Sequence, residues 1–169
     1  MKKGSANTAL VAVLHMQQER RHDAWARVTR KIAQSCLLTR TRQISRVLTA
    51  IYDEALRPFG VNASQFSLLV QIMEFGPLSR AALGRKNHHD RSTLTRNLQP
   101  LVAQGWVVEG MPGDDGRSRP LSLTKRGKAL LHDAASAWSA AQSKAQSLLG
   151  EAGANALIDI AGELPDRIS

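Results

Sequence analysis

The chain of 169 residues is long enough to bury a core as one unit without disulfides or a structural metal. Its net charge is +9 with histidines neutral and is spread unevenly: residues 1–60 carry +7, residues 61–130 carry +5 and residues 131–169 carry −3. A basic body with an acidic tail points to a polyanionic partner, while the single cysteine, Cys36, excludes an intramolecular disulfide, and no Cys/His set has zinc-finger spacing, so neither metal nor cofactor is expected.

The apolar run near the start covers only residues 9–14, too short for a signal peptide or a membrane span, which predicts a cytoplasmic setting away from the membrane. Residues 1–34 form an N-terminal extension, partly helical or flexible, that carries Arg20, Arg21, Arg27, Arg30 and Lys31. Ala24, Val28 and Ile32 recur every four residues, as in a helix that adds to an interface or lies along phosphate. A flexible basic arm is the alternative, and Met16 is a candidate alternative start.

Residues 36–56 place Leu37, Ile44, Val47, Leu48, Ile51, Tyr52 and Ala55 on one stripe, which predicts a long amphipathic helix stopped by Pro58 and Gly60. Asn62 or Ser64 can cap a second helix whose apolar positions run from Phe66 to Phe75 and end at Gly76. A short third helix is expected over residues 78–85, with Leu83 and Ala82 facing inward and Ser79 and Arg80 free to touch phosphate. Asp90 is a cap for a fourth helix that begins at Arg91. On its wheel Leu94, Leu98, Leu101 and Val102 share one face, and Ser92, Thr93, Arg96, Pro100 and Ala103 share the other. Pro100 should bend this helix rather than end it, because Leu101 and Val102 continue the stripe.

Residues 106–111 and 120–124 read as the strands of a β-hairpin with a long basic tip around Arg117 and Arg119. A long helix follows over residues 125–149 and a short one over residues 154–164. The fold class is therefore mainly α with a small β-hairpin wing, and residues 62–124 have the element order of a winged helix-turn-helix.

With CLLTRTRQISRVLTAIYDEALRPFGVNASQFSLLVQI, GPLSRAAL, DRSTLTRNLQPLVAQGWV and GDDGRSRPLSLTKRG in this order, the chain resembles the multiple antibiotic resistance regulator (MarR) family of dimeric bacterial transcription factors. The resemblance covers about residues 35–165. It implies a MarR-type domain over residues 35–169, with dimerisation helices at about 36–57 and 125–164, and a homodimer that binds double-stranded DNA. The implied activity is sequence-specific repression from a pseudo-palindromic operator, released by a small aromatic or phenolic effector.

A helix fits the major groove, where each base pair shows a distinct pattern of donors and acceptors. By resemblance Arg91, Ser92, Thr93, Thr95 and Arg96 fall on the recognition helix, with Arg96 on a guanine edge and the hydroxyls on phosphates or bases. Arg117 is similar to the family's minor-groove arginine, with Asp115 holding its guanidinium, and Arg119 adds a phosphate contact. Tyr52, Phe66 and Met73 are the side chains suited to an effector pocket, and core packing is the competing role for each.

Cys36 stands near where hydroperoxide sensors of the family keep a reactive thiol, so a thiol-based redox-sensing repressor is one alternative and an inert buried thiol the other. Tyr52 lies too far along the helix to assist it directly. A winged-helix protein interaction module that does not bind DNA is the alternative from another class. No paired carboxylates, nucleophile motif or phosphate loop supports an enzyme. In the family the turn before the recognition helix commonly reads apolar, Gly, apolar; here those positions hold Asn87, His88 and His89. A histidine tolerates positive φ poorly, so Asn87 is expected to take the left-handed position instead, and the histidines are either an exposed turn or a source of added charge beside DNA at mildly acid pH.

Overall fold

The computed structural model describes residues 4–111 and 119–165, with side chains from residue 15 onward. Asp115 and Arg117 lie outside the described residues. Two compact units divide the chain, residues 1–46 and residues 47–169.

The first unit is built on α1, Gly4–Ser35, so the basic extension is a helix of 32 residues. Its side chains from residue 15 are exposed, including the apolar Trp25, Val28 and Ile32. α1 breaks at Cys36, where α2, Leu37–Leu56, begins. A helix leaves its last carbonyls without partners. Here the Arg40 guanidinium donates to the carbonyls of Ala33, at 2.8 Å, and Gln34, at 3.3 Å. Cys36 is half-buried, not the fully buried thiol that one sequence reading supposed.

In the second unit α2 ends in a 3₁₀ turn, Arg57–Phe59, closed by Gly60 at φ 74°. Of the two candidate caps, Asn62 starts α3, Ala63–Phe75: its side chain accepts from the Gln65 amide and Gln65 Oε1 accepts from the Asn62 amide, a reciprocal capping box. Asp53 Oδ1 accepts from the Ala63 amide at 2.6 Å and ties α2 to this start. α4, Arg80–Lys86, begins two residues later than expected, because Leu78 exchanges both backbone hydrogen bonds with Leu121 instead of joining the helix. α5, Arg91–Ala103, runs through Pro100. The proline is exposed while Leu98 and Leu101 on either side are fully buried, so the packing holds the helix across the missing hydrogen bond.

β1, Val107–Glu109, and β2, Leu121–Leu123, pair antiparallel with Val107 opposite Leu123. Thr124 then caps α6, Lys125–Glu163, accepting from the Gly127 amide at 3.1 Å and donating to the Gly105 carbonyl at 2.7 Å. A Cβ at Gly127 would collide with the Trp106 backbone, so only glycine fits in this first turn of α6. Gly150, at φ 70° and ψ 161°, interrupts α6, so the second segment starts directly after it rather than at residue 154.

The core gathers Leu56, Phe66, Leu68, Leu69, Ile72, Leu83, Leu94, Leu98, Leu101, Val107 and Leu121, all buried. These residues come from α2 to α5 and both strands, so the leucines of α5 fix how that helix sits in the lobe. Burying a leucine contributes roughly 1.5–3 kcal/mol, far more than any single polar contact on its outer face. No helix among the described residues is long and apolar enough to cross a membrane.

Candidate nucleic-acid interface

The site is the pair α4 and α5 with the hairpin beside them. Ser79 caps α4, its hydroxyl accepting from the Ala82 amide at 3.1 Å, which leaves the hydroxyl proton available to donate. Arg80, expected near phosphate, instead closes on Glu109 of β1 through Nε and Nη2. Gly84 packs where a Cβ would touch Leu94, which brings α4 close to α5.

Between the helices the expectation for the turn is corrected. Asn87 lies at φ −100°, and the left-handed position belongs to His88, at φ 50°. The His88 amide donates to the Arg85 carbonyl at 3.0 Å and the His89 amide to the Gly84 carbonyl at 2.9 Å. This is the Schellman pattern, with histidine where glycine is usual. The pairing satisfies the last carbonyls of α4, and that is why the turn keeps its register without a glycine. The His89 ring is half-buried, its Nδ1 has no hydrogen-bond partner, and burial pushes its pKa down.

Asp90 caps α5 and organises its first turn. Oδ1 accepts from the amides of Ser92 and Thr93 at 2.8 and 2.9 Å and from the Ser92 hydroxyl at 2.7 Å; Oδ2 accepts from the Thr93 hydroxyl at 2.7 Å. The Ser92 hydroxyl, followed by the amide and hydroxyl of Thr93, holds this carboxyl far below the usual carboxylate range. With their protons on Asp90, both hydroxyls offer lone pairs outward rather than donors.

Leu94, Leu98 and Leu101 are buried, while Arg91, Ser92, Arg96 and Gln99 are exposed. Thr93 and Thr95 are half-buried at the flanks, and Thr95 donates back to the Arg91 carbonyl at 2.7 Å. Arg96 Nη2 reaches the Thr93 hydroxyl at 3.4 Å, which leaves the rest of its planar fork exposed. The structure therefore brings Arg91, Ser92, Thr93, Thr95 and Arg96 together on one helix. Sequence reasoning missed Gln99, which the seven-residue spacing from Ser92 puts on the same stripe; glutamine can pair with adenine through two hydrogen bonds. Arg119 is exposed at the foot of the wing.

Tyr52, Phe66 and Met73 line one cavity of about 530 Å3 beside α3 and α6. The Tyr52 hydroxyl bonds to Gln142, and burial raises its pKa. Trp138, Gln71 and Glu74 share the lining and were missed as pocket residues, although the spacing of positions 63, 67, 70, 71 and 74 marks one side of α3. Thr39, through its hydroxyl and then its amide, lowers the Cys36 thiol pKa. Among the described residues no group of three or more His, Cys, Asp or Glu could hold a metal ion.

A family model described as MarR family matches residues 59–118. The crystal structure of the Mycobacterium tuberculosis transcriptional regulator MosR in complex with DNA is 31% identical and covers 76% of this chain and 95% of that one, with a TM-score of 0.66. A mutant MarR from Escherichia coli complexed with operator DNA has the same fold, with a TM-score of 0.69 over 80% of this chain and 98% of that one at 22% identity. The HTH-type transcriptional regulator YwoH of Bacillus subtilis is 30% identical over 89 residues, 53% of this chain and 64% of that protein. The match thus spans somewhat less than two thirds of that relative's length. The chain belongs to the MarR family, whose winged-helix members are transcriptional regulators rather than enzymes.

Proposed function

We propose that the protein is a homodimeric repressor that binds a pseudo-palindromic DNA operator through α5 and is released from it by a small aromatic or phenolic effector. The observation that carries this reading is the outer face of α5: Arg91, Ser92, Arg96 and Gln99 stand exposed over three buried leucines, in a chain of net charge +9. An exposed arginine fork can span the O6 and N7 acceptors of guanine, and phosphate contacts position the helix without reading sequence. Arg91 and Arg119 take that second role, and Arg117, its guanidinium held by Asp115, is assigned to the minor groove. MosR and MarR were both solved on DNA, which supports the same partner here.

Dimerisation is assigned to α2 and α6, where Ile44, Val47, Trp138, Leu148 and Ile158 are exposed in the single chain. A two-fold dimer reads half-sites about 10 bp apart. The cavity at Tyr52, Phe66 and Met73 is assigned to the effector. Sequencing the DNA fragments that the protein retains tests the reading: a recurrent pseudo-palindrome supports it. Retention without sequence preference, or binding indifferent to salt, contradicts it, because phosphate neutralisation must weaken as salt rises.

A second reading adds redox control at Cys36, favoured by the lowering of its thiol pKa by Thr39. Its test is Cys36→Ser, which must abolish any peroxide sensitivity of DNA binding.

A further inference from the structure

The first unit of the chain, residues 1–46, holds ten lysines and arginines against two acids, so it carries +8 of the net charge of +9. The second unit is close to neutral. Both acids, Glu19 and Asp23, come early, and residues 24–52 contain six lysines and arginines but no aspartate or glutamate. Resting on the reading of DNA as the partner, we propose that Arg27, Arg30 and Lys31 of α1 with Arg42 and Arg46 of α2 form a second DNA contact, one that grips phosphates without reading sequence.

The joint between the two helices gives these side chains a common support. The Cys36 amide donates to the Ile32 carbonyl at 3.0 Å and the Arg40 amide to the Cys36 carbonyl at 3.1 Å, so helical hydrogen bonding passes through the break. The Arg40 guanidinium is spent on the end of α1 and on Gln43 Oε1. The other five cations are exposed, and the ion pairs among the described residues involve none of them. On α1, Arg30 and Lys31 follow Arg27 by three and four residues and share its face, while Trp25 lies about 200° round the helix from Arg27. On α2, Arg42 and Arg46 stand one turn apart, each two residues from Ile44 and so on the side away from it. The side of Ile44, assigned to dimerisation, stays clear.

Like charges held this close repel, and a polyanion supplies the negative charge that this stretch of sequence lacks. Arginine provides four of the five cations, and its planar fork pairs with two phosphate oxygens at once. Two other occupants fit worse. A second copy that met this face by two-fold symmetry would set like charges together. A bilayer needs apolar area to bury, and the exposed stripe of Trp25, Val28 and Ile32 is interrupted by Arg21, one turn before Trp25.

The test measures the DNA affinity of the full chain across a salt series, on the selected duplex and on a random duplex of equal length. One variant combines Arg27→Gln, Arg30→Gln and Lys31→Gln, and another combines Arg42→Gln and Arg46→Gln, all of them changes that keep helix propensity. Each variant should lose affinity by the same factor on both duplexes, about tenfold or more at about 0.1 M salt. The slope of log K against log salt should fall by about 0.9 for each contact removed. Arg27→Lys with Arg30→Lys keeps the charge and should keep the slope, as should Trp25→Gln. The proposal is overturned if either glutamine variant leaves the slope unchanged, if its loss is confined to the selected duplex, or if sedimentation shows that the loss follows dissociation of the dimer. It also falls if the variants release phosphatidylserine vesicles yet keep the DNA slope, which would make the surface a membrane contact. A chain that holds DNA with a slope untouched by these variants overturns only this second contact; a chain that holds no DNA overturns the regulator reading as well.

Discussion

The guanidinium of Arg80 closes on Glu109 Oε1 with both Nε and Nη2, which ties the first turn of α4 to the first strand of the wing. The side chains are 42% and 23% exposed, so the pair sits toward the weak end of ion-pair energies. Its use is geometric: with the Leu78–Leu121 bridge it fixes the wing against the helix pair. Arg80→Ala and Glu109→Ala should each lower stability by about 1 kcal/mol in urea unfolding, with a coupling of about 0.5–1 kcal/mol in the double-mutant cycle. Additive effects would show that the pair is incidental.

His88 carries the left-handed position of a turn that glycine normally fills. Left-handed backbone costs a non-glycine L-residue roughly 1–2 kcal/mol, and part of that gain is returned through the greater freedom of glycine in the unfolded chain. His88→Gly should therefore raise stability by about 1 kcal/mol, whereas His88→Ala should stay within about 0.5 kcal/mol. Thermal unfolding of the two variants separates backbone strain from any contribution of the ring.

Stability should fall in two steps as pH drops. Burial holds the His89 ring neutral in the folded chain, so the unfolded chain takes up a proton first. The contribution of His89 is intact above the ordinary histidine value of 6.5 and drains as pH falls below it toward the lowered folded value. Asp90 behaves as a carboxyl with a depressed folded pKa. Its contribution is present above the ordinary aspartate value of 3.8 and is lost as pH falls further. The melting temperature of His89→Gln should show the lower step without the upper one. A slope just below pH 6.5 that survives the substitution would place the upper step elsewhere.

Most of the helix-turn-helix was legible because its signals are local: Asn62 and Asp90 as caps, Gly60 as a stop, and leucines at helical spacing on α5. The misses came from contacts across the fold. Nothing within residues 78–85 announces that Leu78 pairs with Leu121 or that Arg80 pairs with Glu109, because each partner lies some thirty to forty residues away. The turn was misread for a different reason. Propensity favoured asparagine over histidine in the left-handed position, but the Schellman hydrogen bonds fix that position by register, and the register gives it to His88. Gln99 was overlooked although its spacing from Ser92 and Arg96 was sufficient to find it.

The central claim is that α5 reads base sequence, and Arg96→Ala tests it most directly. Affinity should be measured for the selected duplex and for a random duplex of equal length, across a salt series. The account predicts a loss of about 1–3 kcal/mol on the selected duplex, relaxed preference at one base pair, and little change on random DNA. Equal losses on the two duplexes would make Arg96 a phosphate contact and contradict the assignment of α5 as the reading helix.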